Sequence, residues 1–281
     1  MTDTVDALEG FTKDTFSHEG RSCAVYRIGS GPAVVVIPEA PGPTPEVLGF
    51  ARRVGEAGYT AVVPELFGVA GKPESVLYVA QTITRACVSK EFATLAKRRT
   101  SPITNWVRAL GRHEHERCGG PGIGVVGMCL TGGFALAMLA DEAVLAPVLS
   151  QPSLPFGVTA AHRADLGVGD DDWARGKQRV LDDDICVLGL RFTGDKLSPP
   201  SRFRTLREEL GDNFVGVEID SSKGNPHGIG TAAHSVLTRE LVDEPGHPTA
   251  DALAQVFELF RTRLKPATDP DEGAGPSGSS G

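Results

Sequence analysis

Apolar residues fall along this chain in two alternating rhythms: short continuous runs, and longer stretches with apolar residues every three or four positions. Ala33 to Ile37 and Thr60 to Val63 are runs of the first kind, as expected of strands buried on both faces of a sheet. Val125 to Cys129, Ala143 to Ser150, Cys186 to Phe192 and Val215 to Ile219 read the same way, and Ser22 to Ile28 alternates weakly, as an early edge strand would. Between them the period is helical. Thr44 as N-cap, Pro45 at the first helical position and Glu46 in the first turn start a helix whose apolar face is Val47, Phe50, Ala51 and Val54, and Gly58 ends it. Helical tracts are also expected over about Ser75 to Arg99, Pro102 to Cys118, Trp173 to Leu181, Pro200 to Leu210 and Ala233 to Val242. The last helix carries a stripe of Leu253, Val256, Phe257, Phe260 and Leu264. Strand runs alternating with helical tracts predict an α/β protein with a mostly parallel central sheet flanked by helices. With no internal repeat or linker, residues 21–265 read as one domain. Residues 1–20 read as a polar N-terminal extension, and 266–281, rich in Gly, Ser, Pro and Asp, as a disordered tail.

Charge narrows the partners. A net charge of −8 argues against nucleic acid or an anionic membrane surface. No apolar run approaches the roughly 20 residues of a membrane span, and the acidic N-terminus lacks the pattern of a signal peptide. The 5 cysteines are widely spaced and form no C-x-x-C pair, which suits a reducing cytoplasm better than a disulfide framework. Oligomeric state is not readable from the sequence.

The chemistry centres on Val125-Val126-Gly127-Met128-Cys129-Leu130-Thr131-Gly132-Gly133. A strand leads in, an apolar helix leads out, and glycines surround a single cysteine. That is the layout of a nucleophile elbow, whose tight turn leaves no room for Cβ atoms where strand meets helix. A cysteine there gains from the helix N-terminus, and the N–H of Leu130 stands ready for an oxyanion. A buried structural cysteine is the plainer alternative. Ligands bind at the carboxyl ends of the strands in such sheets, and Glu39, Asp195 and His227 also fall at those ends. Nucleophile, acid, histidine is the chain order of the α/β-hydrolase triad. His227, in a Gly/Pro loop straight after a strand, is favoured over His234, where a helix is expected to have begun. Asp195 could alternatively be a turn aspartate. Glu39 could hold or deprotonate the thiol, or pair with an arginine, and the N–H of Ala40 is the expected second oxyanion donor. Other clusters carry less: His113-Glu114-His115 reads as a solvated surface rather than a metal site, Glu65 as a turn residue, and Lys97-Arg98-Arg99 as a helix end. No phosphate-cradling glycine motif follows the first strand, so no nucleotide cofactor is expected, and no metal.

Pro38-Glu39, Gly127-x-Cys129-Leu130-x-Gly132-Gly133, Gly194-Asp195, Gly224-Asn225-Pro226-His227-Gly228 and Ala61 to Gly68 together resemble the dienelactone hydrolase family of α/β-hydrolases. The resemblance spans about residues 20 to 265. It implies hydrolysis of cyclic enol-lactones through a Cys-His-Asp triad, with Cys129 as nucleophile, His227 as base, Asp195 as orienter and Glu39 as activator of the thiol. Two departures stand out. Thr131 intervenes where the family has a glycine, and the family's substrate-gripping arginine beyond the histidine is missing near His227, where Thr231 stands. Arg85 and Arg202 have no evident place. The expectation is a hydrolase of a small ester or lactone acting through an acyl-enzyme, without cofactor. The alternative is a non-catalytic protein that uses the cleft to bind a small molecule or a partner.

Overall fold

The computed structural model describes residues 6–88, 101–154 and 159–265. Eight strands form one sheet in the order β1-β2-β4-β3-β5-β6-β7-β8. They are β1 (Thr12–His18), β2 (Arg21–Gly29), β3 (Ala33–Ile37), β4 (Thr60–Pro64), β5 (Ile123–Met128), β6 (Val144–Ser150), β7 (Val187–Phe192) and β8 (Phe214–Ile219). The helices are α1 (Pro45–Glu56), α2 (Val76–Val88), α3 (Pro102–Cys118), α4 (Gly132–Met138), α5 (Ala160–Ala164), α6 (Asp170–Asp182), α7 (Pro200–Leu210) and α8 (Pro248–Leu264). Strands β3 to β8 run parallel, and the β1–β2 hairpin joins antiparallel at one edge.

The strand side chains divide by alternation. Val34 and Val36 pack with Val47, Phe50 and Val54 of α1 and with Val256 and Phe260 of α8. Val35 and Ile37 pack on the opposite face, in the core built from α3, α4, α6 and α7. A strand buried on both faces therefore needs no polar positions, which is why its sequence is an unbroken β-branched run. Helix α1 begins as its sequence predicts: the Thr44 hydroxyl accepts from the Val47 N–H at 3.4 Å, with Pro45 in the first turn.

Several expectations are corrected. The N-terminal extension is not wholly outside the sheet, because residues 12–18 form its edge strand. Pairing of Thr12 with Arg27 through His18 with Arg21 makes the 21–29 strand an interior one. No helix spans 233–242; that stretch is a series of turns. Glu114 is not solvated. It is fully buried in α3, where the Arg27 guanidinium of β2 donates to both its oxygens (3.0 and 3.1 Å from Nε) and Arg117 adds a bond at 2.9 Å. Glu65 is a turn residue, accepting from the Tyr26 hydroxyl and the Ala70 N–H. The expected tract from Ser75 to Arg99 yields α2, and its remainder, like the tail from 266, lies outside the described residues. Among the described residues no helix is long and apolar enough to cross a membrane.

Candidate active site

Strand β5 ends at Met128, and the chain turns at once through a 3-10 turn, Cys129–Thr131, into α4. Cys129 sits at φ +54°, a left-handed conformation that L-residues with a Cβ rarely adopt. The surroundings hold it there. A Cβ on Gly127 would lie 2.7 Å from both the Ala135 Cβ and the Thr131 carbonyl oxygen, and one on Gly133 would lie 1.9 Å from the Gly167 carbonyl oxygen. Strand, turn and helix can close on one another only because those side chains are missing. Thr131, the departure from the family pattern, fills the bend. Its hydroxyl accepts from the Met128 N–H at 2.8 Å and lies 2.9 Å from the Ile37 carbonyl oxygen and 2.8 Å from that of Met128. One side chain thus ties the end of β3 to the end of β5. The N–H of Leu130 belongs to the first turn after the nucleophile, where helical geometry leaves donors without an intrahelical acceptor, and Ala40 packs against the same cluster.

The histidine is His234. Its Nδ1 lies 2.7 Å from Oδ2 of Asp195, in the loop after β7. Asp195 is buried and shaped by its own turn, its Oδ1 accepting from the Leu197 N–H at 2.8 Å. The other ring nitrogen, Nε2, is buried without an oxygen or nitrogen partner. Burial of the ring opposes its charged form, but the pull of Cys129 and of Asp195 outweighs it and pushes His234 up to about 11. His227, the favoured histidine of the sequence, does not join this group. It is exposed, its N–H donates to the Asn225 side chain, and its ring packs edge-on against His247.

Glu39, at the end of β3, is buried and meets neutral donors rather than an arginine. Gln151 Nε2 donates to Oε2 at 2.9 Å, the Ser235 hydroxyl donates to the same oxygen at 2.8 Å, and the Thr238 hydroxyl donates to Oε1. Burial pushes its carboxyl above the usual range, against the opposing pull of Thr238, His234, Ser235 and Gln151. The role implied by resemblance, activation of the thiol, requires a carboxylate turned to sulfur; these oxygens face the histidine's loop. Gln151 and Ser235 were not singled out from sequence. The only signal was position: Gln151 follows a strand and Ser235 follows a histidine.

With His234 in place, the residues beyond it are Thr238 and Arg239. Thr238 faces Glu39, whereas Arg239 is turned outward to Glu74 and Glu240. Arg202 is buried, donating to the carbonyls of Pro152 and Asp165, each at 2.6 Å. Burial depresses it to about 10, although Asp165, Cys129 and Asp195 act to hold its charge. The described residues contain no group of three or more His, Cys, Asp or Glu placed to hold a metal ion. Arg85 lies in α2, and nothing is described of its side chain.

Solved structures of the same architecture are numerous. A protein named m3DLH superposes with a TM-score of 0.59 at 18% identity, over 90% of this chain and 98% of its own. A dienelactone hydrolase-like promiscuous phosphotriesterase, P91, from metagenomic libraries gives 0.57 at 17% identity, over 90% and 98%. A monoacylglycerol lipase from Paleococcus ferrophilus gives 0.53 at 15% identity, over 84% and 98%. At these identities the likeness is one of fold, the α/β-hydrolase fold. No curated protein sequence matches the chain. The model of the dienelactone hydrolase family matches residues 24–264, from β2 to the end of α8, and so takes in every residue of the site. The chain belongs to the dienelactone hydrolase family.

Proposed function

We propose that this protein cleaves a small ester or lactone through a thiol nucleophile, with Cys129, His234 and Asp195 as its triad. Family membership supports an ester or lactone hydrolase in general. The observation that carries the finer reading is the setting of His234: Nδ1 is held by the Asp195 carboxylate, Nε2 is left buried without a partner, and Cys129 lies near enough to act on the charge of the ring. A buried imidazole without a partner on Nε2 is costly unless that nitrogen is used.

The steps follow from those positions. Sγ of Cys129, as thiolate, bonds to the carbonyl carbon, and the displaced electron pair moves onto the carbonyl oxygen. The N–H groups of Leu130 and Ala40 receive that oxyanion. Collapse breaks the carbon–oxygen bond, and the leaving oxygen takes the proton from His234 Nε2. In a lactone the freed hydroxyl or enol stays on the same acyl group. Nε2, now neutral, takes a proton from water as its oxygen attacks the thioester. The second collapse returns the thiolate and releases a carboxylic acid. Asp195 fixes the tautomer throughout and stabilises the imidazolium. Glu39 is assigned no proton transfer.

Hydrolysis of an activated aryl ester and of a simple enol-lactone tests the proposal. Cys129→Ala is expected to lose both activities; a mutant that keeps them overturns it. Iodoacetamide supplies a readout without substrate. At neutral pH, Cys129 in the wild type should react faster than the remaining cysteines, and His234→Asn should slow it by about 10-fold or more.

A further inference from the structure

Residues 220–247 contain neither helix nor strand, yet this is the segment that must hold the imidazole of His234 to a fraction of an ångström. Asp195 fixes one atom of the ring. What fixes the backbone that carries it lies on the other side, in a buried polar cluster the triad does not use. Gln151 is fully buried at the end of β6, at φ +38°. A non-glycine residue in that conformation is strained and persists only where its surroundings enforce it. Its backbone is anchored to the sheet, N–H to the Leu190 carbonyl at 2.7 Å. Its side chain is used at both ends. Nε2 donates to Glu39, while Oε1 accepts from the Ser150 hydroxyl and, at 3.2 Å, from the N–H of Val236. Glu39 in turn accepts from the hydroxyls of Ser235 and Thr238.

We propose that Gln151 and Glu39 form a clamp, built on the ends of β6 and β3, that grips residues 235–238 and thereby positions His234 for the thiol. Gln151 and Glu39 are positioning residues in this reading, which rests on Cys129 and His234 being the reacting pair. The grip depends on polarity as well as on shape. Glu39 accepts at every contact, and Gln151 is the one group that donates to the carboxylate while accepting from the loop. An apolar side chain of the same length fills the space but leaves the Val236 N–H and the Ser150 hydroxyl without their acceptor, and Glu39 Oε2 with the Ser235 hydroxyl alone. A glutamine at position 39 can turn its oxygen to Gln151 and Ser235 and its NH2 to the Thr238 hydroxyl, whereas a glutamate at position 151 sets one carboxylate against another. Exchanging the two residues restores a donor–acceptor pair: the amide now at position 39 donates to a carboxylate at position 151, which still accepts from Ser150 and Val236.

The test uses the intact protein and four variants: Gln151→Met, Gln151→Glu, the double exchange Glu39→Gln/Gln151→Glu, and Cys129→Ala as the blank. Two quantities are read in each folded variant. One is kcat and KM on the aryl ester. The other is the rate of iodoacetamide labelling of Cys129 against pH, with the adduct located by peptide mass. Gln151→Met and Gln151→Glu are expected to lower kcat by about 10-fold or more with KM little changed, within the roughly 10²–10⁴ that a positioned acid–base group supplies. Their labelling profile should move toward that of an unassisted thiol, half-ionised near about 8.5. The double exchange should recover most of the loss in both readouts. Wild-type kcat and labelling in folded Gln151→Met would overturn the clamp. So would a folded double exchange no better than Gln151→Glu. If either single variant fails to fold, the double exchange compared with wild type decides alone. A wild type whose Cys129 labels no faster than a free thiol is a separate result: it removes the thiol mechanism itself, and the clamp with it.

Discussion

At Cys129 the backbone carries a conformation that the residue itself does not favour, and at His234 the neighbours favour a charge that burial opposes. Gly127 and Gly133 admit the turn, and Asp195 and Cys129 act on the imidazole. His227 and His234 should therefore separate cleanly in function. His234→Asn is expected to lose about 10²–10⁴ in kcat, whereas His227→Asn should stay within about 2-fold of wild type, as expected of an exposed residue away from the site. Steady-state hydrolysis of one ester by both variants decides this; equal losses would contradict the placement of His234. The elbow cysteine was legible because its signal is local, a cysteine among glycines between a strand and a helix. The acid was legible because it follows a strand directly. The histidine was not. The chain leaves β8 through Gly224 and Gly228, both at positive φ, and these turns carry His227 out to solvent before the segment returns with His234. No periodicity in the sequence records that excursion, and the absence of a helix after Ala233 is what leaves His234 free to face inward.

Elements show the same division between local and distant causes. Strands β3 to β8 and helices α1, α7 and α8 follow from runs, caps and stripes, all readable within about ten residues of sequence. Strand β1 does not. Its Thr12–His18 sequence is mostly exposed and polar, and it is a strand only because β2 lies alongside. The join between β3 and β5 is likewise invisible until Thr131 is placed. Thr131→Val keeps the volume and removes the hydroxyl, leaving the buried Met128 N–H without its acceptor. The expected cost is about 1–3 kcal/mol, read as a lowered denaturant midpoint with an unchanged slope; an unaltered midpoint would show that the hydroxyl is dispensable. Gly133→Ala should be worse, since its methyl would meet a carbonyl of the backbone rather than a movable side chain. Little folded protein is expected from it.

For the molecule as a whole, the buried pair of Glu114 and Arg27 links α3 to the sheet far from the elbow. Burial would raise the Glu114 carboxyl, but the bonds and charges of Arg27 and Arg117 outweigh it and hold it below the usual glutamate range. A depressed value in the folded state means stability that is fully present above the ordinary value and lost as pH falls through the depressed one. Glu114→Ala should cost about 3 kcal/mol at neutral pH, because the buried Arg27 is left with only the exposed Asp14, 3.5 Å away. Glu114→Gln should flatten the fall of Tm between neutral and acid pH. A wild-type slope in that variant would place the acid sensitivity elsewhere. The site itself has a different dependence on the whole. Asp195 and His234 are separated by 39 residues, and Glu39 and Ser235 by 196, so no contiguous fragment shorter than most of the chain contains it. Contacts of that span form late, after the closure of long loops has been met by other gains. In a refolding experiment, backbone order should therefore return first and thiol reactivity last. On the mechanism proposed above, Cys129 thus stays an ordinary cysteine until the final strand and its trailing loop arrive, and an interrupted or truncated chain would carry no activated thiol to react out of place.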